Sequence, residues 1–298
     1  MIINAESISG LFRGFSTSFN QGLTQAKSEY QSVAMTVPSG TREMTYAWMG
    51  QIPRLREWLG SRVIQNVTAY GYTITNRKFE LTIEVPRDDI EDDTYGVFGP
   101  LFEEMGRSAA VHPDELIFGL LASGFTEPCY DKQYFFDSDH PSVDENGETV
   151  SVSNVQAGGG PAWYLFDTSR AIKPLIYQKR VDYTFQHLDR DNDRNVFLED
   201  SFLYGIRGRV NAGFGLWQLA YGSMADLTPE NYALARAAMM ELRGDQGKLL
   251  GIMPDTLVVP PGLEGAGREI LVADRNAAGA ANIWFNSAKL ITTPWLVQ

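Results

Sequence analysis

A single cysteine, Cys129, leaves the chain no partner for an intramolecular disulfide, so no covalent staple framework exists and a reducing cytoplasm is the expected setting. Apolar runs are short: none approaches the roughly 18 uninterrupted residues of a membrane span, and MIINAESISG has neither the basic start nor the apolar stretch of a secretory leader. Positive charge is scarce too. The 25 Lys and Arg residues are scattered singly against 37 Asp and Glu, a net charge of −12, which argues against phosphate-backbone binding as the main activity. Only three histidines are present, His112, His140 and His187, in different segments, so a nucleophile–imidazole pair has few ways to form. With 298 residues, the chain is long enough to bury roughly three quarters of its unfolded surface and needs no staple.

What is present is one beam-like stretch, Glu91 to Gly124. Phe98, Met105, Ala109, Leu116 and Leu120 share one helical phase and predict a single helix, capped by Asp92, Asp93 and Thr94 and closed by Ser123-Gly124. At about 1.5 Å per residue it would reach about 45 Å, which predicts an extended subunit. His112-Pro113 interrupts it, and a kink is expected there, or else two helices with Pro113 opening the second.

Before the beam, Ile8, Leu11, Phe12, Phe15, Phe19 and Leu23 stand at helical spacing, interrupted by Gly10, Gly14 and Gly22; this is a frayed terminal helix or an arm that docks on a neighbour. From Val37 to Thr75, strand-like pieces flank a centre holding Trp48, Ile52, Pro53, Leu55, Trp58 and Leu59, too aromatic for disorder and too long for an idle connection. It reads as a projecting hairpin with a partner surface. Asn76 to Arg87 alternates Phe79, Leu81, Ile83 and Val85 as a half-buried strand.

After the beam, 129–160 has no steady period and reads as a surface excursion. Tyr164 to Tyr183 and Val196 to Tyr221 are strand-rich and predict a long antiparallel pair around the acidic turn HLDRDNDRN. From Leu227, a Thr228-Pro229-Glu230 start and Tyr232, Leu234, Ala235, Ala238, Met239 and Leu242 predict a helix, followed by a strand at 255–259, a helix at 263–272 and two strands between Asn282 and Leu296. That alternation is a second α+β lobe.

The chemistry-bearing candidates are thin. Asp189, Asp191 and Asp193 invite a calcium loop, but Arg194 stands where the turn needs glycine and Asp200 where it needs glutamate. Asp137, Asp139 and His140 are fewer ligands than a closed metal site requires. Cys129 reads as packing, Gly158-Gly159-Gly160 lacks the residues of a phosphate loop, and Glu103-Glu104 and Asp92-Asp93 are solvated acids. No catalytic, cofactor-binding or metal residue is assigned.

The stretches EWLGSR (57–62), FE with RDDIEDD (79–93), GRSAAVHPDELIFGLL (106–121), FTEPCYD (125–131), SRAIKPLIYQ (169–178), GFGLWQ (213–218) and LVVPPGLE (257–264) run in one order along nearly the whole chain. In that order the chain resembles the Mu-like bacteriophage major head subunit, the T gene product family of major capsid proteins. The resemblance implies an α+β fold of the Hong Kong 97 type: an N-arm at 1–36, an extended E-loop at 37–75, a peripheral P-domain at 76–222 with a spine helix at 93–123, and an axial A-domain at 223–298, with 129–160 left as an unassigned insertion.

It also implies a non-enzymatic role in the virion, made in the bacterial cytoplasm: hexamers and pentamers of this chain closing an icosahedral shell around double-stranded DNA held without sequence-specific binding. Scaffold and portal proteins attend assembly, a decoration protein is a further partner, and no membrane is involved. Phe12, Phe15, Trp48, Leu55, Trp58 and Arg62 are the expected contacts with neighbouring subunits. No Lys and Asn pair is identified for a crosslink between subunits. The rival readings are a cellular nanocompartment shell of the same fold, a tube-forming tail or sheath protein, and a metal-dependent enzyme using the acids of 137–140 and 189–193.

Overall fold

The computed structural model describes residues 5–47, 71–92, 95–144, 146–190, 192–244, 247–276 and 278–297. Helix α1 (Ala5–Gln25) leads to the one-turn α2 (Tyr30–Val33), strand β1 (Ala34–Pro38) and the hairpin strands β2 (Glu43–Tyr46) and β3 (Tyr72–Thr75). Next come β4 (Arg77–Pro86), the short α3 (Arg87–Glu91) and the 24-residue α4 (Gly99–Ala122). The middle of the chain holds β5 (His140–Val143), β6 (Thr149–Val152), β7 (Val155–Gln156), β8 (Trp163–Phe166), β9 (Leu175–Leu188), α5 (Arg194–Glu199), β10 (Ser201–Phe214) and β11 (Ala220–Ser223). The last part is α6 (Pro229–Met240), β12 (Thr256–Val259), α7 (Glu264–Leu271) and β13 (Lys289–Thr292).

The beam is shorter than its sequence suggests. Gly96 and Gly99 weaken the helix before Pro100, and Pro100, whose fixed φ suits a first turn, starts α4 instead. Pro113 does not end the helix, which spans about 36 Å at about 1.5 Å per residue. Its buried stripe is Phe102, Met105, Gly106, Ala109, Pro113, Ile117 and Leu121, rotated from the predicted one, so that Leu116 and Leu120 are only half-buried.

Asp114, also buried, supplies a fixed cap for the next layer. Its carboxylate accepts hydrogen bonds from Ser28 Oγ (2.7 Å), Glu29 N–H (3.1 Å) and Tyr30 N–H (2.7 Å), meeting free amides at the start of α2. Asp114→Ala leaves those donors unmet and is expected to cost about 2–3 kcal/mol in urea unfolding. A loss below about 0.5 kcal/mol would mean that the contact does not anchor α2.

Two sheets flank this frame. In the first, of order β1-β9-β10-β4, β1 runs parallel to β9 and the other pairs are antiparallel; β9 and β10 are 14 residues each, the predicted long pair. The second, β13-β12-β8-β11-β7, mixes strands from three regions of the chain. The sequence-derived long sheet over 164–221 is therefore corrected: β8, inside the first strand-rich run, pairs with β11 and β12 in the other sheet. A boundary between 222 and 223 would split the last residue, Ser223, from β11. Asn282 to Asn286 is turn rather than strand, with Asn286 at φ +54°, and only β13 pairs there. Part of the acidic connection after β9 folds into α5.

Two apolar clusters result. The smaller joins Leu11, Phe15 and Phe19 of α1 to Phe102 and Met105 of α4 and to Phe202 and Tyr204 of β10. The larger fills the space around the second sheet and includes Phe135, Phe136, Trp163, Phe166, Trp217 and Tyr232. The segment predicted as a surface excursion contributes Cys129, Tyr130, Phe135 and Phe136 to it, so 129–160 is tied to the core at both ends, with the hairpin β5–β6 between. Thr228 caps α6 as its Thr-Pro-Glu start predicts, its side chain accepting from Asn231 N–H.

Candidate self-association surfaces

The projecting hairpin is rooted by buried polar side chains. Tyr46 Oη donates to Gln178 Oε1 (2.9 Å), and Gln178 Nε2 donates to Ile74 O (3.0 Å), so one amide on β9 holds both hairpin strands. Asn76 Nδ2 donates to Ser39 Oγ (3.0 Å), Thr41 O (2.9 Å) and Arg42 O (3.1 Å), closing the base from the other side. Burial pushes the Tyr46 and Tyr72 hydroxyls up to about 12, so both remain proton donors at neutral pH. Trp48, Leu55, Trp58 and Arg62 fall outside the described residues.

Of the two expected contacts in the N-terminal arm, Phe15 is 4% exposed and stacks on Phe102 at 4.2 Å within its own chain. Phe12 stacks on His187 at 3.9 Å and on Phe185 at 5.5 Å. The expectation that Phe15 faces a neighbour is therefore corrected, because its ring is spent on the chain's own α4 and β10, whereas Phe12 is only half-buried.

The acidic candidates part company. Asp189 Oδ1 lies 2.8 Å from His187 Nδ1 and Asp193 Oδ2 accepts from Arg190 N–H, while Asp191 is outside the described residues; the first two do not converge on one point. His140 does not join Asp137 and Asp139 as the spacing suggested. It is fully buried, with Nδ1 2.8 Å from Asp131 Oδ2 and Nε2 3.2 Å from Asn154 Oδ1, its ring stacked on Trp217 at 4.0 Å. Cys129 Sγ donates to Asp131 Oδ1 at 3.0 Å. Burial pushes the Cys129 thiol well above its ordinary range, with the Asp131 charge adding to it. Burial alone would also raise the Asp131 carboxyl, but the hydrogen bonds from His140 and Cys129 outweigh it and hold it below the usual carboxylate range.

His112, on α4, reaches across to the first sheet, where Nδ1 meets the Tyr183 hydroxyl and the ring meets Phe79 edge-on at 4.3 Å. Burial lowers its pKa, partly opposed by Glu115. The unfolded chain therefore takes up the His112 proton first, near the ordinary value of about 6.5, and the folded chain only at lower pH. Stability should fall as pH drops through the window below about 6.5 and level off under the folded value. Urea midpoints between about pH 7 and about pH 5 are expected to decline less in His112→Phe than in the unaltered chain; equal slopes would remove His112 as the cause.

Sequence periodicity missed a scattered set of apolar side chains on the outside. Val97 lies in the turn before α4 and Leu101 in its first turn, Phe197 (81% exposed) and Leu198 on α5, Ile283 (82% exposed) after α7, and Val297 near the end. The one available signal was composition: Phe197-Leu198 stands within an acidic stretch, DRNVFLED, where a solvated turn has no use for an apolar pair.

The family model described as "Mu-like prophage major head subunit gpT" matches residues 8–296. The chain belongs to that family. As a Mu-like major head subunit it is 45% identical to the major capsid protein of Escherichia phage Mu over 289 residues, 95% of each chain. Among solved structures, the procapsid of bacteriophage JBD30 contains a similar chain, 46% identical, with a TM-score of 0.88 over 98% of this chain and 100% of that one. The JBD30 capsid decorated with minor capsid protein trimers gives 34% identity and a TM-score of 0.78 over 93% of each chain. This major head subunit thus has the mixed α and β fold of the Hong Kong 97 type, and it is a major capsid protein of the Mu-like class. Among the described residues, no helix is long and apolar enough to cross a membrane.

Proposed function

We propose that this chain builds the head shell of a tailed Mu-like phage, assembling as hexamers and pentamers into a closed icosahedral container for packaged double-stranded DNA, in a structural and not a catalytic role. The observation that carries this reading is the likeness of almost the whole chain, 98% of it, to a subunit of an assembled procapsid. In this proposal residues 1–36 are the N-arm and 37–75 the E-loop, whose Trp48, Leu55, Trp58 and Arg62 lie over a neighbour; 76–222 is the P-domain on the α4 spine, and 223–298, joined by β7, β8 and β11, forms the axial lobe. The exposed Val97, Phe197 and Ile283 become contacts at other edges.

An excess of 12 negative charges lets DNA move past the inner wall without adhering. Scaffold and portal proteins serve as assembly partners, and the decorated JBD30 capsid supports a minor protein as an outer partner here. The protein is made in the host cytoplasm and ends in the virion. Electron microscopy of the chain expressed with its own phage's scaffold and protease tests the reading: closed icosahedral particles are expected, and open tubes or dispersed monomers would refute it.

A further inference from the structure

Around Asp131, three donor atoms of different chemistry meet in one buried place. Cys129 and Asp131 share a tight turn, closed by the Pro128–Tyr134 bridge and by Cys129 N–H donating to Gln133 O (2.8 Å), with Lys132 held at φ +75°. His140 arrives from the opposite side as the first residue of β5. Cys129 Sγ, an Asp131 carboxylate oxygen and a His140 ring nitrogen all lie within 4.8 Å of one another.

The orientation of His140 is fixed by a neighbour that has no freedom of its own. Asn154 Nδ2 points at three backbone carbonyls, those of Phe135 (2.8 Å), Ala220 (3.3 Å) and Trp217 (3.4 Å). Its Oδ1 must therefore be the atom that faces His140 Nε2, and it also accepts from Asp137 N–H (2.9 Å). An amide oxygen so placed demands a proton on Nε2 and turns Nδ1 toward Asp131 and Cys129. Metal-binding histidines are held in this way, one nitrogen donating to an oxygen while the other faces the ion. Trp217, stacked on the ring, fixes its plane.

We propose that Cys129 Sγ, Asp131 carboxylate and His140 Nδ1 form an open three-ligand site for a zinc-class divalent cation, joining the 128–134 turn to the start of β5. One thiolate, one imidazole and one carboxylate suit zinc, whereas magnesium and calcium favour oxygen alone. Ligand bonds of about 2.0–2.3 Å in tetrahedral array separate neighbouring ligand atoms by about 3.3–3.7 Å. Cys129 Sγ is 3.0 Å from Asp131 Oδ1 and His140 Nδ1 is 2.8 Å from Asp131 Oδ2, and with one ligand atom from each residue already within 4.8 Å of the others, shifts of about 1 Å reach the tetrahedral separations. Two protons leave to solvent as the ion enters, the Cys129 thiol proton that Asp131 Oδ1 accepts and the one shared between His140 Nδ1 and Asp131 Oδ2, and one coordination position remains for water. The site is independent of the shell reading, because its three ligands all come from one chain.

The test uses the full chain expressed in zinc-supplemented or cobalt-supplemented medium and purified without chelator. About one zinc per chain by elemental analysis is expected, and the cobalt form should show the near-ultraviolet thiolate-to-cobalt band and the strong visible bands of a four-coordinate ion. Cys129→Ser should lose the thiolate band, and Asn154→Leu should weaken zinc binding about 10–100-fold. Substoichiometric zinc together with no thiolate–cobalt band in the unaltered chain would overturn the proposal and leave the cluster as a hydrogen-bonded core. A band that persists in Cys129→Ser would overturn it equally. Because the first arm uses the unaltered chain, a variant that fails to fold does not prevent a decision.

Discussion

Gly106→Val is expected to remove most of the stability of the α1–α4 face and to prevent recovery of folded subunit. The two helices cross with backbone against backbone. A Cβ built on Gly106 would stand 2.0 Å from Phe19 O and 2.8 Å from Leu23 N, and one built on Gly22 would stand 1.8 Å from Glu103 O. These obstacles are main-chain atoms inside helices and cannot swing aside as a flexible side-chain end can. The helices must separate, which unpacks Phe15 and Phe19 from Phe102 and Met105.

Overpacking ordinarily costs about 1–3 kcal/mol, and a clash at both partners of one crossing belongs at the top of that range or above it. Gly106→Ala should already cost about 3 kcal/mol in urea unfolding. The contrast is Gly14→Ala, where nothing lies within 4 Å: it should gain about 0.5–1 kcal/mol from helix propensity alone. If Gly106→Ala and Gly14→Ala gave the same midpoint, the close crossing would be wrong.

The second large effect concerns assembly with folding left intact. Replacing 48–70 by a short Gly-Ser link should leave the subunit folded, since Tyr46, Gln178, Asn76 and Tyr72 fix the hairpin base. Closed particles should disappear. Aromatic anchors at interfaces are commonly worth about 2 kcal/mol or more each, and a shell repeats every contact many times, so Trp58→Ala alone should shift sedimentation from particles to capsomers or free subunits. Particle yields equal to those of the unaltered chain would assign the tip some other role.

Legibility in the sequence followed the range of the interactions. The Thr228-Pro229-Glu230 start of α6, the alternation of β4 and the long β9–β10 pair depend on local pattern and were readable. The glycines of α1 were read as interruptions because a single helix shows glycine only as a weak helix former; that Gly22 seats on α4 is a fact about a partner 81 residues away. β8 looked like part of the long sheet because strand pattern does not specify a partner. Chain proximity groups His140 with Asp137 and Asp139, whereas the fold sets it, as the first residue of β5, beside Cys129 and Asp131. The Mu-like reading itself rested on ordered short stretches spread over the chain, each weak alone.

The most direct measurement is cryo-electron microscopy of particles formed by the full chain, at a resolution that traces side chains. The account predicts icosahedral shells in which the 37–75 hairpin lies over an adjacent copy and Val97, Phe197 and Ile283 are covered at other edges, while Phe15 stays inside its own subunit. A chain that remains a monodisperse monomer, with a radius of gyration near the roughly 19 Å of a compact globule of this length, when supplied with its own scaffold would contradict it.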